Sequence, residues 1–188
     1  MNARDVVAAA GLGLAATAVL DLWTLIGSTL FGMRPASMAP VGRWIGHMSE
    51  GQFLHDSIRT SAPVAGEVAI GWSAHYLVGA VFGVLFIVLA GRGWLARPTL
   101  LPALAFGVAS VAAPFLLMQP AMGSGIAASL TPDPFAGRMR SLSGHAVFGL
   151  GLFAAGWLVC QARSHWGLAA ATAPITPTSP STHEDRAS

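Results

Sequence analysis

Four ionisable side chains stand in or beside long apolar runs: Asp21, Glu67, His75 and His145. Placing such a group in hydrocarbon costs about 2.5–3.5 kcal/mol on insertion scales, so each calls for a partner or a task. A carboxylate beside an imidazole fixes its tautomer and raises its basicity, which suits a proton relay or the support of a metal ligand. Asp21 lies ten residues before Phe31, and His75 nine after Gly66. At about 1.5 Å of rise per residue, both sit roughly 14 Å below one membrane face, so the two can meet. The plainer reading of the pair is a hydrogen bond that holds two helices together.

A second set is softer. His47, His55, His75 and His145 open toward one membrane side, as do Met33, Met38, Met48, Met118, Met122 and Met139. Imidazole and thioether suit copper, and His47, His55 and Met48 are the candidate metal ligands. Alternatively, His75 and His145, on parallel helices, are axial ligands of a b-type haem, with Asp21 and Glu67 lining the same pocket. That reading expects both rings to face the bundle interior, with Cα atoms within about 15 Å. No CxxC or HExxH accompanies these residues, and methionine also fills irregular gaps, so the packing reading stays open.

Catalytic motifs are absent. Cys160 stands about 22 Å along one helix from His145. Ser73 and Ser143 precede a histidine by two residues, which puts them on another helix face. Glycine pairs such as Gly11/Gly13 and Gly123/Gly125 lack the strand-and-helix context of a phosphate loop.

Four apolar runs must position these groups. About 20 apolar residues cross a bilayer as a helix, and residues 6–31, 68–90, 99–118 and 143–161 supply four such spans. The expected fold is an all-α bundle of four membrane helices within residues 1–166, with a short interfacial helix in the first loop near Pro40–Met48. Residues 167–188, rich in Ala, Thr, Pro and Ser, are expected to be disordered. A signal peptide ending near Ala18 competes for the first run, but apolar character continues to Phe31. In the second run Glu67, Gly71, His75, Gly79 and Gly83 recur every four residues, one stripe that faces a neighbouring helix. Pro114 is expected to kink the third run and free a backbone carbonyl. Ser73-Ala74-His75…Gly79 is echoed by Ser143-Gly144-His145…Gly149, which suggests a repeat of two helices plus two.

Hydrophobic residues make up 54% of the 188 and charged residues 10%, which fits a multi-pass membrane protein and no soluble domain. All ten basic residues are arginines spread between the runs, without a basic cluster, so nucleic acid is not an expected partner. The short, arginine-dense second loop favours cytoplasmic termini.

Gly42-Arg43-Trp44-Ile45-Gly46-His47-Met48, Phe53, His55-Asp56, Gly66-Glu67 and His75-Tyr76 form a recognisable pattern. It continues through Arg97–Pro102, Ala113-Pro114-Phe115, Met118-Gln119-Pro120 and His145–Gly149. From about residue 5 to 163 the chain resembles the bacterial membrane proteins of domain-of-unknown-function family 2938. The resemblance implies a four-helix bacterial inner-membrane protein and carries no activity with it. Three functions remain: a His/Met/carboxylate pocket for a metal ion or haem, a proton-coupled carrier using Asp21, Glu67 and His75, or a structural subunit. The last would pack through its glycine stripes against another membrane subunit or a second copy.

Overall fold

A computed structural model describes residues 1–33 and 37–171, with side chains as far as Ser164. Three helices are long: α1 (Ala3–Phe31), α3 (Glu67–Ala90) and α6 (Pro134–Ala171). The other crossing is made in pieces, α4 (Leu100–Ala109), a π-helical turn (Pro114–Met118) and α5 (Gln119–Ala121). The short helix expected in the first loop is α2 (Ala39–Met48). Ala3–Phe31, Glu67–Ala90, Leu100–Ala121 and Pro134–Ser164 are each long and apolar enough to cross a membrane. The protein is an all-α membrane bundle of four spans.

Helix ends follow local chemistry. α1 begins at Ala3 rather than Val6 because Asn2 and Asp5 form a reciprocal capping box. α6 begins at Pro134 rather than Ser143: the Asp133 carboxylate accepts from Ala136 N at 2.9 Å, and proline fits a first helical turn. The earlier start carries His145 eleven residues into its helix. α6 also runs past residue 166 to Ala171. The expected disorder of the tail, from residue 172 on, lies outside the described residues, as does Arg34.

Pro114 breaks the third span as expected, since it has no N–H to give the carbonyl four residues back. That carbonyl, Ser110 O, accepts from Ala113 N at 3.2 Å instead, and the π-helical turn follows.

α1 is the central post, packed on both α3 and α6, while α4 packs on α6 and α2 on α3. Across the middle, Phe82 of α3 meets Phe148 of α6 edge-on, ring centroids 6.2 Å apart, and Phe106 of α4 closes on Phe82 and Phe86. The turn after α3 tucks Trp94 against Phe86 at 4.7 Å. Asp5 and Arg92, 2.8 Å apart, hold that turn to the start of α1. Exposed leucines such as Leu25, Leu89, Leu101 and Leu158 coat the outside, as a lipid-facing surface requires.

The expected stripe of α3 is turned inward along its whole length. A Cβ on Gly79 would overlap the Thr17 hydroxyl, and one on Gly83 would overlap Ala9 and Gly13 of α1. Gly71 meets the Met38 backbone at the start of α2, and Gly42 of α2 meets Glu67 and Gly71. The missing side chains let backbones touch, which is how membrane helices gain packing energy without a hydrophobic drive.

Candidate functional site

His75 and Asp21 occupy the middle of the α1–α3 seam. Nε2 of His75 lies 2.9 Å from Oδ1 of Asp21, and each side chain is 19% exposed. A carboxylate only accepts, so the imidazole donates from Nε2 when Asp21 is ionised. Asp21 Oδ2 is buried with no hydrogen-bond partner among the described residues. Trp72 and Tyr76 approach the imidazole edge-on, with centroids 5.6 and 5.5 Å away. The other hydroxyl side chains along this part of α1 contribute little: Thr17, Thr24 and Ser28 donate to their own helix backbone. A carboxylate with one spare oxygen beside an imidazole can hold a proton in more than one place, or accept a further donor.

His145 has a different partner. Its Nδ1 lies 2.7 Å from Ser110 Oγ, at the break made by Pro114, and that hydroxyl donates to Gly107 O at 2.6 Å. Four residues on, Gly149 packs directly on Ala103 and Gly107. The echo is therefore used twice in one way. On α3, His75 pairs and Gly79 packs against α1; on α6, His145 pairs and Gly149 packs against α4. The two histidines face different helices, and no hydrogen bond or ring contact joins them among the described residues.

The first loop folds into a cap. Arg43 Nε and Nη2 each donate to Glu67 at 2.8 Å, a two-pronged pair. Its Nη1 donates to Ile58 O and Ser61 O, so one guanidinium gathers the loop at the start of α3. The hydrogen-bonded Glu67 carboxylate raises the Arg43 pKa further above its ordinary value. Glu67 also accepts from Val64 N at 3.1 Å, which ties both its oxygens into the cap.

Beside that clasp two histidines meet. His47 and His55 stack with centroids 5.0 Å apart and ring nitrogens 2.8 Å apart, 6% and 8% exposed. His47 Nε2 donates to Ala62 O at 3.0 Å, so in the neutral ring Nδ1 accepts from His55 Nε2. Both His47 nitrogens are thereby used. Met48, the third candidate ligand, is half-buried. No three His, Cys, Asp or Glu side chains gather as a metal site among the described residues. Sequence reasoning proposed His47 and His55 as ligands and missed that they bond to each other. It also missed Arg43, whose position one turn before His47 and 24 residues before Glu67 gave no periodic signal.

This is a four-span membrane bundle with two in-span histidine pairs under a polar, hydrogen-bonded cap. The chain belongs to the family described as "Protein of unknown function (DUF2938)", whose model matches residues 10–159. No curated protein and no solved structure is significantly similar to it.

Proposed function

We propose that this protein is a proton-responsive carrier of the bacterial inner membrane, in which the Asp21–His75 couple changes protonation during solute movement. The observation that carries the reading is the couple itself, inside two apolar spans, with Asp21 Oδ2 making no hydrogen bond within 3.5 Å among the described residues. In-span carboxylates and histidines mark proton relays because their burial is otherwise unfavourable. Glu67 is assigned to the cap and not to the proton path, since Arg43 and Val64 hold both its oxygens.

The test is proton entry into vesicles loaded with a pH-sensitive dye, under a clamped membrane potential. Amino acids, sugars and divalent cations are supplied in turn. Solute-dependent entry that Asp21→Asn abolishes is the expected result. Entry that survives Asp21→Asn, or none with any solute class, overturns the reading.

Binding of copper or a b-type haem is the second reading, and it rests on the imidazoles themselves. Asp21 and Ser110 each engage one nitrogen of their histidine, so a shared haem or a metal would have to take the other nitrogen, Nδ1 of His75 and Nε2 of His145. A visible spectrum and metal analysis of the purified protein decide it. The subunit reading has weaker support, because Gly71, Gly79 and Gly83 are spent on packing within the chain.

A further inference from the structure

We propose that a polar recess in the cap is a binding site for a primary ammonium group, carried by a small solute or by a lipid headgroup. The proposal goes beyond the carrier reading and does not rest on it. The recess holds about 330 Å³ and is bordered by Gln52, His55, Asp56, Ser57, Thr60 and Ser61. These residues belong to no helix or strand, yet the backbone of the strap they form is pinned on two sides. Toward the third span, His55 N donates to Ala121 O at 2.9 Å and Ile58 N to Met122 O at 3.1 Å. Gly123 allows this close approach, since a Cβ there would overlap Asp56 O. Toward α2, Gln52 N donates to His47 O at 3.1 Å, and Arg43 Nη1 donates to Ser61 O at 3.1 Å. A site already fixed in shape loses less freedom on binding than a loose loop would.

The side chains of the recess are mostly acceptors. Thr60 Oγ1 and Ser61 Oγ both donate to Ser57 O, at 3.1 and 3.0 Å, so each oxygen has only lone pairs to offer a ligand. The Asp56 carboxylate accepts only, and it makes no ion pair among the described residues. His55 is 8% exposed, and its neutral ring gives Nε2 to His47. Its Nδ1 is left bare, buried and without a hydrogen-bond partner among the described residues. A buried acceptor that no group of the chain satisfies calls for a donor from elsewhere. Of the side chains bordering the recess, the Gln52 amide and the Ser57 hydroxyl alone have a donor to give.

Charge points the same way. Asp56 is the one carboxylate that borders the recess among the described residues. The Arg43 guanidinium, which reaches Ser61 O, is neutralised by Glu67 at 2.8 Å, and the exposed Arg59 does not border the recess. An unbalanced negative charge among acceptors suits a cation rich in donors. A primary ammonium supplies three N–H donors and no acceptor. A trimethylated ammonium supplies no donor and is held by aromatic faces, of which the recess has only the His55 ring. A hard divalent ion takes about six to eight oxygen ligands, commonly with several carboxylates. Here there is one, and no three His, Cys, Asp or Glu side chains gather among the described residues.

The experiment is a ligand-observed NMR titration of the full chain in nanodiscs of phosphatidylcholine and phosphatidylglycerol, lipids without a primary amine. Ethanolamine and choline are compared near neutral pH, where both are cations with one hydroxyl and only ethanolamine has N–H donors on its nitrogen. Ethanolamine is expected to bind saturably, and choline at least about tenfold more weakly. Asp56→Asn should weaken ethanolamine at least about tenfold, while Arg59→Gln and Asp21→Asn should stay within about threefold of the unsubstituted protein. No saturable binding of ethanolamine, equal binding of choline, or undiminished binding by Asp56→Asn overturns the site. Phosphatidylethanolamine added to the nanodiscs then separates the two sources. Competition assigns the site to the lipid headgroup, and unchanged binding assigns it to a soluble amine. Hydrogen exchange at the His55 and Ile58 amides reports whether Asp56→Asn keeps the strap in place. If that variant loses its protection, the comparison of ethanolamine with choline on the unsubstituted protein decides alone.

Discussion

His75 and Asp21 stand 54 residues apart in sequence and 2.9 Å apart in space, joining α3 to α1 within two apolar spans. A hydrogen bond between membrane helices averages only about 0.6 kcal/mol, because the separated helices also find partners. Asparagine at position 21 can still accept from His75 Nε2. Asp21→Asn should therefore change thermal stability in detergent by less than about 1 kcal/mol while removing proton-linked entry. A large loss of stability would make the pair structural glue and remove it from the proton path.

Backbone contact between α1 and α3 yields a sharper stability effect. A side chain at Gly13 has nowhere to go, because its Cβ would overlap the Gly79 carbonyl and approach Gly83. Gly13→Leu or Gly83→Val must pry the helices apart, at a cost of about 1–3 kcal/mol or more for overpacking. Gly11, two residues away, points into open space, and Gly11→Ala should fall within about 0.5 kcal/mol of the parent. Size-exclusion chromatography after graded heating ranks the three. Equal losses at Gly11 and Gly13 would contradict the crossing.

Arg43 is predicted to tolerate no conservative replacement. Its fork serves Glu67 with two nitrogens and reaches Ile58 O and Ser61 O with a third. Lysine keeps the charge but offers a single point donor group, so it can satisfy only part of this set. Arg43→Lys should speed tryptic cleavage at the exposed Arg59, and Arg43→Ala should speed it further. Because Glu67 raises the Arg43 pKa, the guanidinium's contribution is complete below its ordinary range and is lost only above it. Cleavage should thus be independent of any arginine titration between about pH 7 and 10.

Periodicity made the membrane part of this fold readable. The spacing of four in Glu67, Gly71, His75, Gly79 and Gly83 shows which face of α3 is inward, and rise per residue puts His75 level with Asp21. The beginnings of α1 and α6 were also written locally, in Asn2 with Asp5 and in Asp133-Pro134, but a reading by apolar content passes over them. The cap was not readable. The Arg43–Glu67, His47–His55 and His55–Ala121 contacts span unlike distances across an irregular loop, where no repeat relates sequence separation to contact. His145 shows the intermediate case. Its motif matched that of His75, but its partner depended on a break in α4, whose position comes from Pro114.

Orientation can be tested from the arginines and one ion pair. Arg92 and Arg97 crowd the short turn between α3 and α4, and positive charge in short loops favours the cytoplasm. Asp5 holds Arg92 at 2.8 Å, so the start of α1 lies on the same face as that turn. α2 and the cap lie at the other end of α1, past its C-terminus. Cys160 donates to Ala96 O near that turn and should first be replaced, as Cys160→Ala, to leave a silent background. Gly93→Cys adds a thiol where nothing lies within 4 Å, and Glu50→Cys adds one on the exposed edge of the cap. On spheroplasts, a membrane-impermeant maleimide should label Glu50→Cys at once and Gly93→Cys only after permeabilisation. The reverse pattern would invert the protein in the membrane, and labelling of both from outside would contradict an odd number of crossings between them.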